Sequence, residues 1–186
     1  MFLYRNGVQM LKESELKVLD HLTLSSDGKG FISQIARDIG MSKGEVSKAV
    51  KVLKQGGLVR SQLSGRNVVC FIDRASPVIA RLRTAFNLLE LIPKVEPLLK
   101  HVEKIIVFGS CAQGTDKFEN EIDIFVITRE KDKVIKMAQK IRLSRPTQWV
   151  VKTPQEYVVF NNKEKVFADE ISQGIVLWEA YEASRV

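Results

Sequence analysis

Cysteine and histidine are scarce in this chain. Cys70 and Cys111 are its two thiols and His21 and His101 its two imidazoles, in 186 residues. Two isolated cysteines make no disulfide framework. None of the four side chains has a partner at metal-ligand spacing, so a disulfide-stapled module and a zinc finger or ribbon are both excluded. Long apolar runs are missing as well: no stretch approaches the roughly 20 residues that a bilayer-spanning helix needs. Residues 1–10 lack the apolar core and small-residue cleavage site of a secretory signal. Internal repeats and low-complexity tracts are also lacking. The expectation is a soluble protein of a reducing compartment, the cytoplasm, with no membrane partner.

What remains is ordinary globular composition, 45% hydrophobic and 27% charged, enough for one medium domain or two small ones. The 29 Lys+Arg and 22 Asp+Glu give a net charge of +7. That charge is uneven. Residues 1–75 hold 12 basic and 7 acidic side chains, against 17 and 15 in residues 76–186. Lys43, Lys48, Lys51, Lys54, Arg60 and Arg66 crowd a short segment whose single acid is Glu45. Such a cluster can form one surface facing a polyanion.

The first third reads as helices followed by a hairpin. Ser14 is the expected cap of a helix carrying Leu16, Val18, Leu19 and Leu22 at helical spacing. Residues 25–30 read as a loop. Ser33 is the expected cap of a short helix, Gln34 to Ile39, which Gly40 ends. Ser42 and Glu45 form a capping box for a helix with Val46, Ala49, Val50 and Leu53 on its inner side, ending at Gly56-Gly57. Two strand-like runs, Leu58 to Leu63 and Asn67 to Ile72, flank Ser64-Gly65-Arg66.

The periodic pattern breaks at Asp73 to Pro77, which sets expected domains at 1–75 and 76–186. Ser76-Pro77 opens a helix over Val78 to Ile92, which Pro93 and Pro97 are expected to break and restart. Expected strands are Ile105 to Phe108, Ile122 to Thr128 and Thr147 to Lys152. A helix is expected over Glu130 to Leu143, another after Thr153-Pro154, and an apolar stretch over Gly174 to Trp178.

The order of elements from residue 11 to 74, with Ile35-Ala36-Arg37-Asp38-Ile39-Gly40-Met41-Ser42 at its centre, resembles a winged helix-turn-helix domain of the MarR/ArsR-like kind. That resemblance implies double-stranded DNA as partner. The helix after Ser42 would enter the major groove, with Ser42, Lys43, Ser47 and Lys48 near bases and Lys51 on phosphate. Arg66 would sit at the wing tip. A homodimer is implied too, since paired half-sites double the phosphate contacts. The apolar helix after Ser76 is the candidate contact.

In the second half, Val107-Phe108-Gly109-Ser110 is followed by Gly114 and then, after ten residues from Cys111 to Asn120, by Glu121-Ile122-Asp123-Ile124. Glycine lets a phosphate approach the backbone and serine donates to its oxygens. Acids at i and i+2 share one face of a strand. This pattern resembles the signature of minimal nucleotidyltransferases of the DNA polymerase β superfamily. The resemblance implies nucleotide binding by Gly109, Ser110 and Gly114, and a catalytic, metal-holding pair, Glu121 and Asp123. It implies Mg²⁺ or Mn²⁺ and a nucleoside triphosphate as cofactors, and for minimal members a separate helical partner protein.

Three positions depart from that family's pattern. Glu121 stands where Asp is usual, moving its carboxylate by more than roughly 1 Å. Gln148 occupies the place of the third carboxylate, and Gln113 that of an arginine. Asp116 and Glu119 in the intervening loop are the acids that could substitute. The expected fold class is α+β: an N-terminal winged helix-turn-helix, then a small mixed-sheet nucleotidyltransferase-like α/β domain. The expected function is a DNA-binding regulator whose second domain has weakened catalysis. The alternative is an active metal-dependent nucleotidyltransferase, antitoxin-like in one version, acting on a nucleic-acid, protein or small-molecule acceptor.

Overall fold

The computed structural model describes residues 11–180; the expectation about a secretory signal in residues 1–10 lies outside the described residues. The chain divides into two compact units, Met1–Arg83 and Thr84–Val186. No helix among the described residues is long and apolar enough to cross a membrane.

The first unit runs α1 (Glu13–Leu24), β1 (Lys29–Phe31), α2 (Ile32–Asp38), α3 (Lys43–Gln55), β2 (Arg60–Ser64) and β3 (Asn67–Phe71). Val18, Leu19 and Leu22 of α1, Ile35 of α2 and Val46, Val50 and Leu53 of α3 are buried together as its core, as their 3.6-residue spacing requires. The hairpin closes around Gly65-Arg66 and pairs Arg60 with Phe71 through to Ser64 with Asn67. The third strand is a departure from the sequence reading. Lys29–Phe31, expected as loop, pairs antiparallel with β3, giving the order β1-β3-β2; three residues are too few to show a period.

Two expected caps also move. Lys12, not Ser14, is the N-cap of α1, because the Glu15 carboxylate reaches back to accept from the Lys12 N–H at 2.8 Å. Phe31, not Ser33, precedes α2, since β1 runs straight into that helix with no side-chain cap. The capping box of α3 forms as expected: the Ser42 hydroxyl accepts from the Glu45 N–H, and Glu45 accepts from the Ser42 N–H at 3.0 Å.

Helix α4 (Pro77–Val95) carries the division between the units, its residues from Thr84 onward belonging to the second. Pro93 lies inside α4 rather than breaking it. It sits on the exposed side within one turn of the end, where the forgone hydrogen bond faces water. Leu89 and Ile92, on the helix expected to pair two copies, are 70% and 54% exposed.

The second unit continues with a 3-10 helix (Glu96–His101), β4 (Lys104–Phe108), α5 (Gly109–Gln113), β5 (Ile122–Ile127), α6 (Lys131–Ala138), β6 (Thr147–Lys152), α7 (Pro154–Lys163), α8 (Lys165–Ser172) and β7 (Ile175–Glu179). Its mixed sheet has the order β6-β5-β4-β7, with β5 and β6 parallel and the other pairs antiparallel. Helix α6 stops at Ala138, short of the expected Leu143. Ser144 donates from its N–H and hydroxyl to Glu90, at 2.6 and 2.8 Å, and draws the chain off the helical path.

The sheet buries both faces. Ile105, Val107, Ile122, Ile124 and Val126 join Leu91, Leu98 and Val134 on one side. On the other, Ile106, Phe108, Phe125 and Ile127 meet Phe160 and Ile171 of α7 and α8. Phe125 is fully buried and contacts Tyr157 and Phe160, while Phe167 packs edge-on against Phe108 and Phe160. Burial of such a side chain contributes about 1.5–3 kcal/mol. This aromatic layer fixes α8 over the face that carries the odd-numbered residues of β5.

Candidate functional site

The site grows from the strand alternation just described. Asp123 falls on the same side of β5 as Phe125, the side covered by α7 and α8, and Glu121 immediately precedes the strand. Antiparallel pairing sets Asp123 opposite Phe108, the last residue of β4, so Gly109 and Ser110 begin α5 beside the Asp123 carboxylate. Gly109 has φ 64°, and a methyl group there would stand 3.0 Å from Asp123 Oδ2. Left-handed backbone and the close approach both favour glycine. The turn therefore presses its backbone against the acid, leaving no side chain between them.

Gly114, at φ 71°, ends α5, and its N–H donates to the Ser110 carbonyl. Its amide is thus committed to the turn, and its part in the site is to shape the loop. On β6, Gln148 is in register with Asp123. Parallel partners point to the same side of a sheet, so this neutral amide flanks Asp123 where the family resemblance implies a third acid.

Electrostatics single out Asp123. Its carboxyl is raised above the ordinary aspartate range, first by burial and then by the negative charges of Glu121 and Glu170. Glu170, from α8, is the residue that sequence reasoning missed. The methyl position at Gly109 that lies 3.0 Å from Asp123 Oδ2 lies 3.6 Å from Glu170 Oε1. The i, i+4 pair Phe167 and Ile171 was the available signal: it marks the inner face of α8, and Glu170 adjoins it.

Asp116 does not serve as a substitute ligand. It is completely buried and ion-paired with Arg145, whose Nη2 lies 2.8 Å from Asp116 Oδ2. Asn87 completes the network, donating to Asp116 Oδ1 and the Cys111 carbonyl at 3.0 Å each and accepting from Arg145 at 3.1 Å. Arg145 also donates to the carbonyls of Lys117 and Asn120. These bonds tie down the loop that joins α5 to β5, and hence the entry to Glu121. Glu119 lies exposed on that loop. Burial raises the thiol of Cys111 to about 11, against the lowering that a reactive cysteine at a helix start requires.

Among the described residues no cluster of three or more His, Cys, Asp or Glu side chains is arranged to hold a metal ion by itself. Magnesium does not require such a cage. It is commonly bound through one or two carboxylates together with substrate phosphates and water. Hard oxygen donors beside a backbone held clear by Gly109 fit that mode.

In the first unit Lys43, Ser47, Lys48 and Lys51 lie exposed along α3, and Arg66 lies exposed in the hairpin turn. The Ser42 hydroxyl donates to Glu45 at 2.7 Å and accepts from its N–H, so it is engaged in the capping box.

Three comparisons bear on this chain. No curated protein matches it. A possible transcriptional regulatory protein from Mycobacterium bovis, a 1–100 fragment, is 29% identical with a TM-score of 0.34, over 44% of this chain and 80% of that one. A candidate nucleotidyltransferase from Sulfolobus solfataricus is 16% identical with a TM-score of 0.39, over 55% and 89%. The sequence model of the polymerase β nucleotidyltransferase family matches residues 91–183, half of the chain, and spans β4, α5 and β5 with the Gly109, Ser110 and Asp123 turn. By that match the protein belongs to the polymerase β nucleotidyltransferase family.

Proposed function

We propose that the protein binds DNA through its first unit and, in its second, transfers a nucleoside monophosphate from a nucleoside triphosphate to an acceptor hydroxyl. The observation that carries the second half is the contact between the Gly109 turn and Asp123 in a chain of this family. Asp123 and Glu121 are the residues that would hold Mg²⁺ or Mn²⁺. The cation, when bound, supplies charge neutralisation for the phosphates and for the departing pyrophosphate.

The chain's own residues do the rest. Gly109 leaves the phosphate path open, and the Ser110 hydroxyl would donate to a phosphate oxygen. The Asp116–Arg145–Asn87 network holds the loop that positions Glu121. The acceptor oxygen bonds to the α-phosphorus as the bond to the β-phosphate oxygen breaks. Pyrophosphate leaves with that electron pair, and the hydroxyl proton passes to a carboxylate of the pair. Incubation with α-labelled nucleoside triphosphates, Mg²⁺ or Mn²⁺ and candidate acceptors tests this. Transfer is expected in the wild type and is lost in Asp123→Ala; absence of transfer with every nucleotide refutes it.

A second reading, nucleotide sensing without transfer, is favoured by Gln148 standing beside Asp123 in place of an acid. It predicts nucleotide binding with no labelled product.

For the first unit, the reading as a DNA-binding winged helix is supported by the order α1-β1-α2-α3-β2-β3, the three-stranded sheet, and the exposed lysines of α3. Each phosphate contact releases counterions, so affinity falls with salt in proportion to the number of contacts. Lys43→Ala with Lys48→Ala should weaken duplex binding and reduce the logarithmic salt slope by about 2. Unchanged binding in that variant removes α3 from the interface. We also propose a homodimer, with Leu89 and Ile92 of α4 supplying exposed apolar surface to a second copy.

A further inference from the structure

The place beside Asp123 where the family resemblance implies a third acid holds Gln148, yet an acid from another element comes near the Gly109 turn. Glu170 Oε1 and Asp123 Oδ2 lie 3.6 and 3.0 Å from one methyl position at Gly109. Helix α8 is fixed there on two sides. Phe167 and Ile171 enter the aromatic layer. Gly174, just after the helix, lies so close to β4 that a methyl group on it would stand 2.6 Å from Ile106 Cγ2 and 2.7 Å from the Val107 carbonyl. Glu170 also lines an open groove at the α7–α8 corner with Lys163, Lys165 and Phe167, so a cation or a nucleotide can reach it from solvent. Two carboxylates near one another repel each other unless a cation joins them.

We infer that Glu170, supplied by α8 in place of an acid on β6, is the carboxylate that holds the divalent cation jointly with Asp123. The inference rests on the nucleotidyl-transfer reading above and adds the residue that offsets Gln148. Two carboxylates with phosphate oxygens satisfy what Mg²⁺ or Mn²⁺ takes from a protein in nucleotide sites.

The test measures Mn²⁺ affinity by electron paramagnetic resonance, with a non-hydrolysable nucleoside triphosphate analogue, and the metal-free thermal midpoint by fluorescence. The full-length wild type is compared with Glu170→Gln, Asp123→Asn and the double variant Glu170→Gln/Gln148→Asp. Glu170→Gln is expected to weaken Mn²⁺ binding about 10- to 100-fold while its metal-free midpoint holds or rises, because a repulsion has been removed. Restoration of Mn²⁺ affinity in the double variant supports the inference further, since β6 then supplies the acid in register with Asp123. Wild-type affinity in Glu170→Gln overturns it, as does a loss that comes with a lower metal-free midpoint. Either result leaves the reading of the site intact if Asp123→Asn has lost Mn²⁺. If the wild type itself binds no Mn²⁺ with the analogue, the proposed function fails first.

Discussion

Replacing Arg145 with methionine strips the counter-charge from a carboxylate that has no access to water. Asp116 is fully buried and the Arg145 side chain is 4% exposed, with their closest atoms 2.8 Å apart. The substitution removes that ion pair, the bond to Asn87, and the donors to the Lys117 and Asn120 carbonyls. Breaking a buried pair by deleting one partner typically costs about 3–5 kcal/mol, because an uncompensated charge stays behind. A domain's whole stability is about 5–15 kcal/mol, so the loss is severe but measurable. With a urea dependence of about 1–3 kcal/mol per molar, the unfolding midpoint falls by roughly 1–5 M. Trp149 and Trp178 are the chain's two tryptophans and both lie in the second unit, so their fluorescence reports on that unit. Asp116→Asn combined with Arg145→Met removes the stranded charge and should recover a large part of the loss. A cost below about 1 kcal/mol for Arg145→Met, or a double variant no more stable than the single, refutes the claim that this pair anchors the α5–β5 loop.

Gly109→Ala places a methyl group at φ 64° and 3.0 Å from Asp123 Oδ2. The backbone strain costs about 1–3 kcal/mol, and nucleotide-supported Mn²⁺ binding should fall; unaltered thermal unfolding and metal binding contradict the close-approach argument. Burial raises the thiols of Cys70 and Cys111 to about 11, so at pH 8 about one in a thousand is ionised. Ellman's reagent should label them only as fast as the protein opens, and rapid labelling of the native state rules out inert thiols. His21 has its pKa lowered by burial, against the attraction of Asp38 and Asp20. As pH falls below the ordinary histidine value, the unfolded chain therefore takes up a proton that the folded chain resists, and stability falls. Between pH 7.5 and 5.5 the wild type should lose stability relative to His21→Gln, and an equal loss in both frees His21 of that role. Leu89→Glu with Ile92→Glu should convert a dimer into a monomer in sedimentation velocity; a monomeric wild type ends the pairing proposal.

Local chemistry made much of this fold readable from residues alone. Ser42 with Glu45 and Thr153 with Glu156 announce their helices because each box satisfies backbone N–H groups within four residues. The hairpin announces itself through strand-like runs on either side of Gly65-Arg66, the second carrying Val68 and Val69. Gly109, Ser110 and Asp123 could be placed together because one short loop joins two adjacent strands. Where the sequence was opaque, the deciding contact was distant. The strand Lys29–Phe31 exists because β3 offers it an edge. Arg145, in a polar stretch before Pro146, looks like any surface arginine until Asp116 and Asn87 close around it. Glu170 is the sharpest case. In Lys165-Val166-Phe167-Ala168-Asp169-Glu170-Ile171 it reads as one of two adjacent acids on a helix that water would solvate. Its position depends on Phe167 stacking against Phe108 and Phe160 and on Gly174 letting the chain close on β4. A motif survey finds Gln148 and infers a depleted site, because it compares positions along one strand. Cation binding depends instead on which oxygens converge in space, and helix α8 can return to the pocket the negative charge that β6 has given up.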